Sequence, residues 1–121
     1  MINTDFDPVY GCELAIGRRD KDGYVFAGER RAHLVAWDRA HGPVADGFEL
    51  DHTCRRRACC SLDHLELVTR RENELRKRWS HRTRIASCPR GHRLSETAIV
   101  TPEGGRVCRT CRDLAVQEQQ L

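Results

Sequence analysis

The chain has 121 residues and a mass of 13.9 kDa, which suffices for one small domain and excludes a two-lobed enzyme. Only about a fifth of its residues are Leu, Ile, Val or Phe, whereas 32% are charged, so we expect metal ions or cross-links to support folding. No apolar run approaches the length of a membrane span, and we expect no secretory signal at the N-terminus. The seven cysteines are therefore expected to be reduced and to bind metal.

The net charge of +3 is unevenly distributed along the chain. Residues 1–50 carry a net charge of −3 and residues 94–121 carry −1, whereas residues 52–93 carry +8. A basic segment of this kind is typical of proteins that contact a phosphate backbone. A solvated charged face would give the same pattern, so charge alone leaves both interpretations open.

The N-terminal third of the chain predicts short strands followed by one helix. Residues 12–35 divide into brief extended segments around a turn at 20–23, which is rich in Asp and Gly. An apolar stripe predicts a short helix over Leu34–Ala40, which the following His-Gly-Pro sequence would end. We therefore expect N-terminal β-strands and a short helix ahead of the central region.

The central region predicts two strands and a helix in direct succession. Residues 48–51 and 65–68 alternate apolar and polar side chains, as strands do, and the residues between them show no periodic pattern. Thr69 is followed three residues later by Glu72, a capping box that starts a helix. The order strand, loop, strand, helix over residues 48–79 therefore follows from the pattern alone.

The C-terminal region, which follows a basic connector over residues 80–87, carries two pairs of metal-binding residues on either side of a glycine-rich turn. The pairs are Cys88 with His92 and Cys108 with Cys111. This arrangement suits a closed tetrahedral zinc site, in which four protein ligands leave no open position for catalysis. The alternative, buried thiols beside a surface histidine, is disfavoured because two spaced pairs rarely arise in so polar a segment.

Three polar residues of the central region could act together. Asp51 and His52 end the first predicted strand, and Asn73 lies in the first turn of the predicted helix. Taken singly, they would be a polar strand end and an exposed helix residue. Because a hairpin followed directly by a helix can bring these places together, they could instead supply a base and a metal ligand.

The stretch LDHTCRRRACCSLDHLELVTRRENELR resembles the ββα-metal motif of HNH endonucleases, in particular the phage type. The His-Cys box homing endonucleases, which share the ββα core, have a similar spacing of five residues, here His52, Cys54, Cys59, His64 and Asn73. The resemblance covers residues 10–76 and 88–111. This chain departs from the phage pattern at Arg56 and at 61–62, which are not catalytic positions.

This resemblance implies roles for the central residues. His52 would be the general base, and Asp51 and Asn73 would hold one catalytic Mg²⁺ or Mn²⁺. A first structural zinc site, in addition to the zinc site of the C-terminal region, would consist of Cys12, Cys54, Cys59 and His64. Cys60 has no assigned partner and is expected to be a small buried side chain or a free thiol.

The implied activity is hydrolysis of DNA phosphodiester bonds, which leaves a 5′-phosphate and a 3′-hydroxyl. Double-stranded DNA would be the partner, no membrane would be involved, and a homodimer would suit double-strand cutting. A phage-encoded chain of this type would act in the cytoplasm of its bacterial host. The residues implied to hold the DNA backbone are Arg55, Arg56, Arg57, Arg70, Arg71, Arg76, Lys77 and Arg78.

The expected fold class is α+β: a small zinc-stabilised ββα-metal (HNH) nuclease core with N-terminal β-strands and a C-terminal zinc-binding hairpin. The nuclease domain would span residues 1–80, with the ββα core at about 48–79, and the connector and zinc-binding tail would span 81–121. Two alternatives stay open: a zinc-dependent DNA-binding module without catalysis, and a structural phage interaction protein. Neither needs Asp51 and His52 to lie near Asn73.

Overall fold

A computed structural model describes residues 2–78 and 86–119, except for the side chain of Arg78. The predicted domain boundary between residues 80 and 81 and most of the predicted connector lie outside the described residues and stay predictions. None of the helices in the described part of the chain is long and apolar enough to cross a membrane. The described elements are β1 (Thr4–Asp7), β2 (Cys12–Ala15), β3 (Phe26–Ala27), β4 (Arg30–Arg31), α1 (Ala32–His41), β5 (Phe48–His52), a short 3-10 helix (Leu62–His64), β6 (Leu65–Thr69), α2 (Arg70–Arg78), α3 (Leu94–Thr97), β7 (Ala98–Val100), β8 (Arg106–Cys108) and α4 (Arg109–Gln119).

The strands pair as antiparallel hairpins, and the central hairpin with α2 forms the ββα unit. Pairing of β5 with β6 sets Asp51 opposite Glu66. The Oγ1 of Thr69 accepts a hydrogen bond from the backbone N–H of Glu72 at 3.1 Å, which confirms the predicted helix cap. Helix α2 then folds back against both strands. Both strands agree with the predicted ones to within one residue.

The N-terminal hairpin, β1–β2, forms backbone hydrogen bonds with the loop between β5 and β6. The backbone N–H of Ala15 donates to the carbonyl oxygen of Ala58 at 2.7 Å, and that of Cys60 donates to the carbonyl oxygen of Glu13 at 2.9 Å. A further β-bridge pairs Leu14 with Cys59. The sequence predicts an irregular loop here because periodicity is absent, whereas pairing with a distant strand orders its second half.

Helix α1 begins earlier than the apolar stripe predicts. It spans Ala32–His41 instead of Leu34–Ala40. Ala32 is 2% exposed, and its backbone N–H donates to the carbonyl oxygen of Val25 at 2.8 Å. The first turn is therefore packed in the core, where the sequence predicts an extended segment. The helix ends at His41, one residue later than predicted, and is followed by Gly42, whose φ of 83° favours glycine.

Buried apolar side chains of the described residues form small clusters instead of one large core. One cluster consists of Ala15, Val25, Ala32, Ala58 and Cys60. The others consist mainly of cysteines, together with Val107 and Leu94. Small side chains bury little apolar area, so the stabilisation must come in large part from elsewhere.

The C-terminal hairpin β7–β8 packs against the loop that directly follows β5. The Oγ1 of Thr101 donates to the carbonyl oxygen of Cys54 at 2.7 Å. The backbone N–H of Arg106 donates to the carbonyl oxygen of Thr53 at 2.8 Å. Gly105 lies against the same backbone, because a Cβ at this position would be 2.2 Å from the carbonyl carbon of Cys54. The tail is therefore joined directly to the central region.

Gly105→Ala is expected to destabilise the protein by roughly 3 kcal/mol, because the added methyl group would overlap backbone atoms of Cys54. Gly104→Ala is the matched control: nothing lies within 4 Å of its Cβ position, so the expected cost is only the left-handed backbone strain, about 1 kcal/mol. Urea unfolding of the zinc-loaded protein measures both. Equal losses in the two variants would show that the contact with Cys54 is not tight.

Candidate metal centres and active-site cavity

The first cluster of metal-binding residues joins the N-terminal hairpin to the central loop. Cys12 begins β2, Cys54 and Cys59 lie in the loop after β5, and His64 ends the 3-10 helix. All four side chains are buried, and their ligand atoms lie within 4.8 Å of one another. Nδ1 of His64 is 3.4 Å from the sulfur atoms of both Cys12 and Cys59.

These separations fit a tetrahedral zinc ion. With Zn–S bonds of about 2.3 Å and Zn–N bonds of about 2.0 Å, a tetrahedron has an S–N edge of about 3.5 Å. Hydrogen bonding with Cys54 and Cys59 lowers the pKa of the Cys12 thiol far below its usual value, so the cluster favours a thiolate, the form that binds metal. Three sulfurs and one imidazole nitrogen form the closed donor set that is typical of structural zinc.

The second cluster lies entirely in the C-terminal region. Cys88 and His92 flank a turn, Cys108 ends β8, and Cys111 lies in the first turn of α4, a helix that the sequence analysis does not predict. The sulfur atoms of Cys88 and Cys111 are 3.7 Å apart, and Nδ1 of His92 is 3.2 Å from the sulfur of Cys88 and 3.4 Å from the other two sulfurs. A tetrahedral S–S edge is about 3.8 Å, so this donor set fits zinc as well.

Cys60 belongs to neither cluster. Its side chain packs in the apolar cluster with Ala15 and Val25, and its sulfur lies 3.4 Å from the carbonyl oxygen of Glu13. Burial raises the pKa of the thiol to about 11. Cys60 is therefore a small core side chain that stays protonated at neutral pH.

A cavity of about 440 Å³ opens at the end of β5. Its wall includes residues from β5, α1, α2 and the loop after β5. Asp51, His52 and Asn73 all line it, so the structure brings the three candidate catalytic residues of the sequence analysis to one cavity.

His52 is 6% exposed, and one hydrogen bond defines its protonation. Its Nε2 lies 2.8 Å from the carbonyl oxygen of Cys59. Because a carbonyl only accepts hydrogen bonds, Nε2 carries the proton and Nδ1 holds the lone pair. Burial lowers the pKa of His52 below its usual value, so the ring is neutral at pH 7.

Asn73 and Asp51 are both held by neighbouring charged residues. Nδ2 of Asn73 donates to Oε1 of Glu49 at 2.8 Å, which makes Oδ1 the ligand atom that the side chain offers. Oδ2 of Asp51 accepts a hydrogen bond from Nη1 of Arg76, also at 2.8 Å. The carboxylate of Asp51 is thus already paired with the guanidinium of Arg76 through one of its two oxygens.

The structure contradicts the predicted contact of Arg76 with the DNA backbone. Its side chain is 6% exposed and forms ion pairs with Asp51, Glu66 and Glu72 at 2.8, 3.0 and 3.3 Å. A guanidinium enclosed by three carboxylates is not available to a phosphate. It instead ties α2 to both strands of the central hairpin, and removing it would leave carboxylates unpaired.

Arg56 is ion-paired within the protein, and its contact with DNA stays a prediction. It forms ion pairs with Asp7 and Glu103 and lies over the ring of Tyr10, so it connects the N-terminal and C-terminal hairpins to the central loop. The side chain of Arg78 lies outside the described residues. The remaining members of the predicted DNA-contacting set either line the cavity or lie exposed on α2: Arg55, Arg57, Arg70, Arg71 and Lys77.

Two aromatic rings beside His52 are features that no sequence pattern predicts. His33 in α1 and Tyr24 before β3 both line the cavity, and the ring of His33 lies 4.6 Å from that of His52. Arg31, which also lines the cavity, lies 4.0 Å over the ring of Tyr24. The one sequence signal for this group is a histidine next to the apolar stripe of α1, and no local pattern relates it to His52.

The fold and the cavity define a small α+β protein with a ββα unit and two Cys/His clusters that could hold zinc. A family model described as HNH endonuclease matches residues 30–75, which run from β4 into α2. The "Uncharacterized gene 5.3 protein" of Enterobacteria phage T3 is 32% identical over an alignment of 74 residues, and the match covers 52% of this chain and 73% of that relative. No solved structure matches the chain. The chain belongs to the HNH endonuclease family.

The protein as isolated is expected to contain two zinc ions per chain, which native mass spectrometry would count. Cys54→Ser is expected to lose one ion and most of the folding stability, because metal binding contributes on the order of 10 kcal/mol per site. Cys60→Ala is the matched control, since Cys60 is buried but belongs to neither cluster, and it should retain both ions. A folded wild-type chain without zinc would contradict this prediction.

Proposed function

We propose that this chain is a metal-dependent DNA endonuclease in which His52 is the general base. The observation that carries the proposal is that a neutral, oriented histidine and a candidate cation ligand, Asn73, line one cavity. The family to which the chain belongs supports nuclease activity. The reaction would be hydrolysis of a phosphodiester bond.

His52 would accept a proton from a water molecule at Nδ1. The hydrogen bond from Nε2 to the carbonyl oxygen of Cys59 keeps that nitrogen protonated and would stabilise the imidazolium that forms. The water oxygen would then bond to phosphorus as the bond to the 3′-oxygen breaks. The departing 3′-oxygen would take a proton from solvent water, so the products would be a 5′-phosphate and a 3′-hydroxyl.

We propose that Oδ1 of Asn73 and the carboxylate of Asp51 hold one Mg²⁺ or Mn²⁺, since both cations prefer oxygen donors. When bound, this cation would supply positive charge beside the phosphate and the departing 3′-oxygen. Asp51 would share its carboxylate between the cation and Arg76, which lies 2.8 Å from Oδ2. The two closed Cys/His clusters would hold structural zinc and would have no part in the reaction.

The cavity wall and the exposed face of α2 would hold the phosphate backbone of double-stranded DNA. Arg31, Arg55, Arg57 and Lys77 line the cavity, and Arg70 and Arg71 are exposed on the neighbouring helix. Contacts to phosphates position a duplex without reading its sequence, so the proposal includes no target site. A homodimer would present one such cavity to each strand.

His52→Ala is expected to slow the nicking of supercoiled plasmid DNA in Mg²⁺ by at least about 100-fold, because general-base catalysis is worth 10²–10⁴-fold. Plasmid binding, measured by gel shift without added Mg²⁺, should be unchanged, and so should the zinc content. A variant that nicks within about twofold of the wild type would remove His52 from the mechanism. A wild type that binds plasmid but never nicks it would favour the zinc-dependent DNA-binding module.

Asn73→Ala is expected to lower the nicking rate mainly by weakening the affinity for the catalytic cation, so high Mg²⁺ or Mn²⁺ should restore part of the rate. Asn73→Asp keeps a hard oxygen donor but replaces the amide that donates to Glu49 with a second carboxylate, so it should retain more activity than Asn73→Ala and less than the wild type. Glu74→Gln, a change at the next and more exposed position of α2, is the matched control and should leave the Mg²⁺ titration unchanged. Identical titrations for the wild type and both Asn73 variants would mean that the cation binds elsewhere.

A further inference from the structure

The cavity contains a second histidine that the proposed reaction does not use. His33 lies in the first turn of α1, is 6% exposed and lines the cavity beside His52. The two ring centroids are 4.6 Å apart and the ring planes are inclined by 58°. This is the tilted geometry that neighbouring aromatic rings prefer, so His33 packs directly against the proposed base.

Tyr24 supports His33 from a different segment of the chain. Its ring stacks on that of His33 at 5.3 Å with an inclination of 29°, and it lies 6.0 Å from the ring of His52. The guanidinium groups of Arg31 and Arg57 lie 4.0 and 5.3 Å over the Tyr24 ring. The three rings, Tyr24, His33 and His52, are therefore a packed ring cluster whose outer member is itself held in place.

The hydrogen bond to Cys59 alone does not fix the plane of the His52 ring. The outer torsion of a histidine side chain is broad and roughly two-fold, so a ring held at one nitrogen can still tilt about that hydrogen bond, and it can flip whenever the bond opens. A ring packed against its side prevents such movement. Burial also lowers the pKa of His33 to about 3, so this neighbour adds no positive charge that would oppose protonation of His52.

We propose that His33 is a positioning residue: its ring, backed by Tyr24, holds the His52 imidazole in the orientation in which Nε2 reaches the carbonyl oxygen of Cys59 and Nδ1 is presented to the attacking water. The inference rests on the proposed role of His52 as general base. The proposed base would therefore depend on His33, which lies in α1, ahead of the β5–β6 hairpin and α2 in the chain.

Kinetics with supercoiled plasmid DNA and Mg²⁺ test the proposal. His33→Ala should lower kcat by about 100-fold with little change in KM, because a misplaced catalytic group costs rate without weakening DNA binding. His33→Phe keeps a flat ring of similar size and should recover most of kcat. His41→Ala, at the exposed end of the same helix, is the matched control and should cleave like the wild type.

Two outcomes of the kinetics would overturn the proposal. His33→Phe as slow as His33→Ala would mean that the ring nitrogens matter and packing does not. A His33→Ala variant that loses DNA binding but keeps its kcat would give His33 a different role. His33→Leu keeps packed volume without a flat ring and should be as slow as His33→Ala, so the comparison with phenylalanine stays decisive if the alanine variant does not fold.

Nitrogen-15 NMR of the histidine rings gives a readout that does not depend on activity. In the zinc-loaded wild type, His52 should show a single tautomer with the proton on Nε2. His33→Leu should show a mixture of tautomers or exchange broadening at His52, and His33→Phe should show the wild-type tautomer. Unchanged His52 signals in His33→Leu would overturn this proposal. A wild type that shows the expected signals but never nicks DNA would overturn the proposed function, and His33 would then only orient the His52 ring.

Discussion

The orientation of the proposed general base depends on the backbone of one cysteine. Cys59 contributes its sulfur to the first Cys/His cluster and its carbonyl oxygen to Nε2 of His52, 2.8 Å away. A cation that fixes the sulfur also restrains the carbonyl that orients the imidazole. Because the buried apolar side chains of the described residues form only small clusters, metal cross-linking of this kind would replace the packing that positions such residues in larger proteins.

The loop that carries Cys54 and Cys59 has no periodic sequence pattern. It is ordered by contacts with the N-terminal hairpin and with the C-terminal hairpin. Strand β2 pairs with its second half through the Leu14–Cys59 bridge. The C-terminal hairpin holds its first half, where Gly105 allows the backbone to approach Cys54 closely. The second cluster lies in that C-terminal region, so a metal ion in either Cys/His cluster would support the loop beside the cavity, although none of the donor residues lines the cavity.

The basic segment of the sequence has two separate uses in the structure. Arg76 and Arg56 form internal ion pairs that connect strands, helix and hairpins. Arg76, which three carboxylates enclose, is not available to a phosphate. Arg70 and Arg71 are exposed on α2, where a duplex could reach them. Net charge therefore overstates the number of cations available for DNA, because it does not distinguish paired from exposed arginines.

The sequence by itself determined the strand, strand, helix order, the cap at Thr69 and the donor set of the C-terminal cluster. Alternation, capping and ligand spacing are local properties, so a pattern of neighbouring residues suffices to predict them. Only the tertiary structure decided that Tyr24 and His33 pack beside His52, that Arg76 is enclosed by three carboxylates, and that α1 begins in the core. These features arise from contacts between segments far apart in the chain, and no local pattern encodes which distant segments meet.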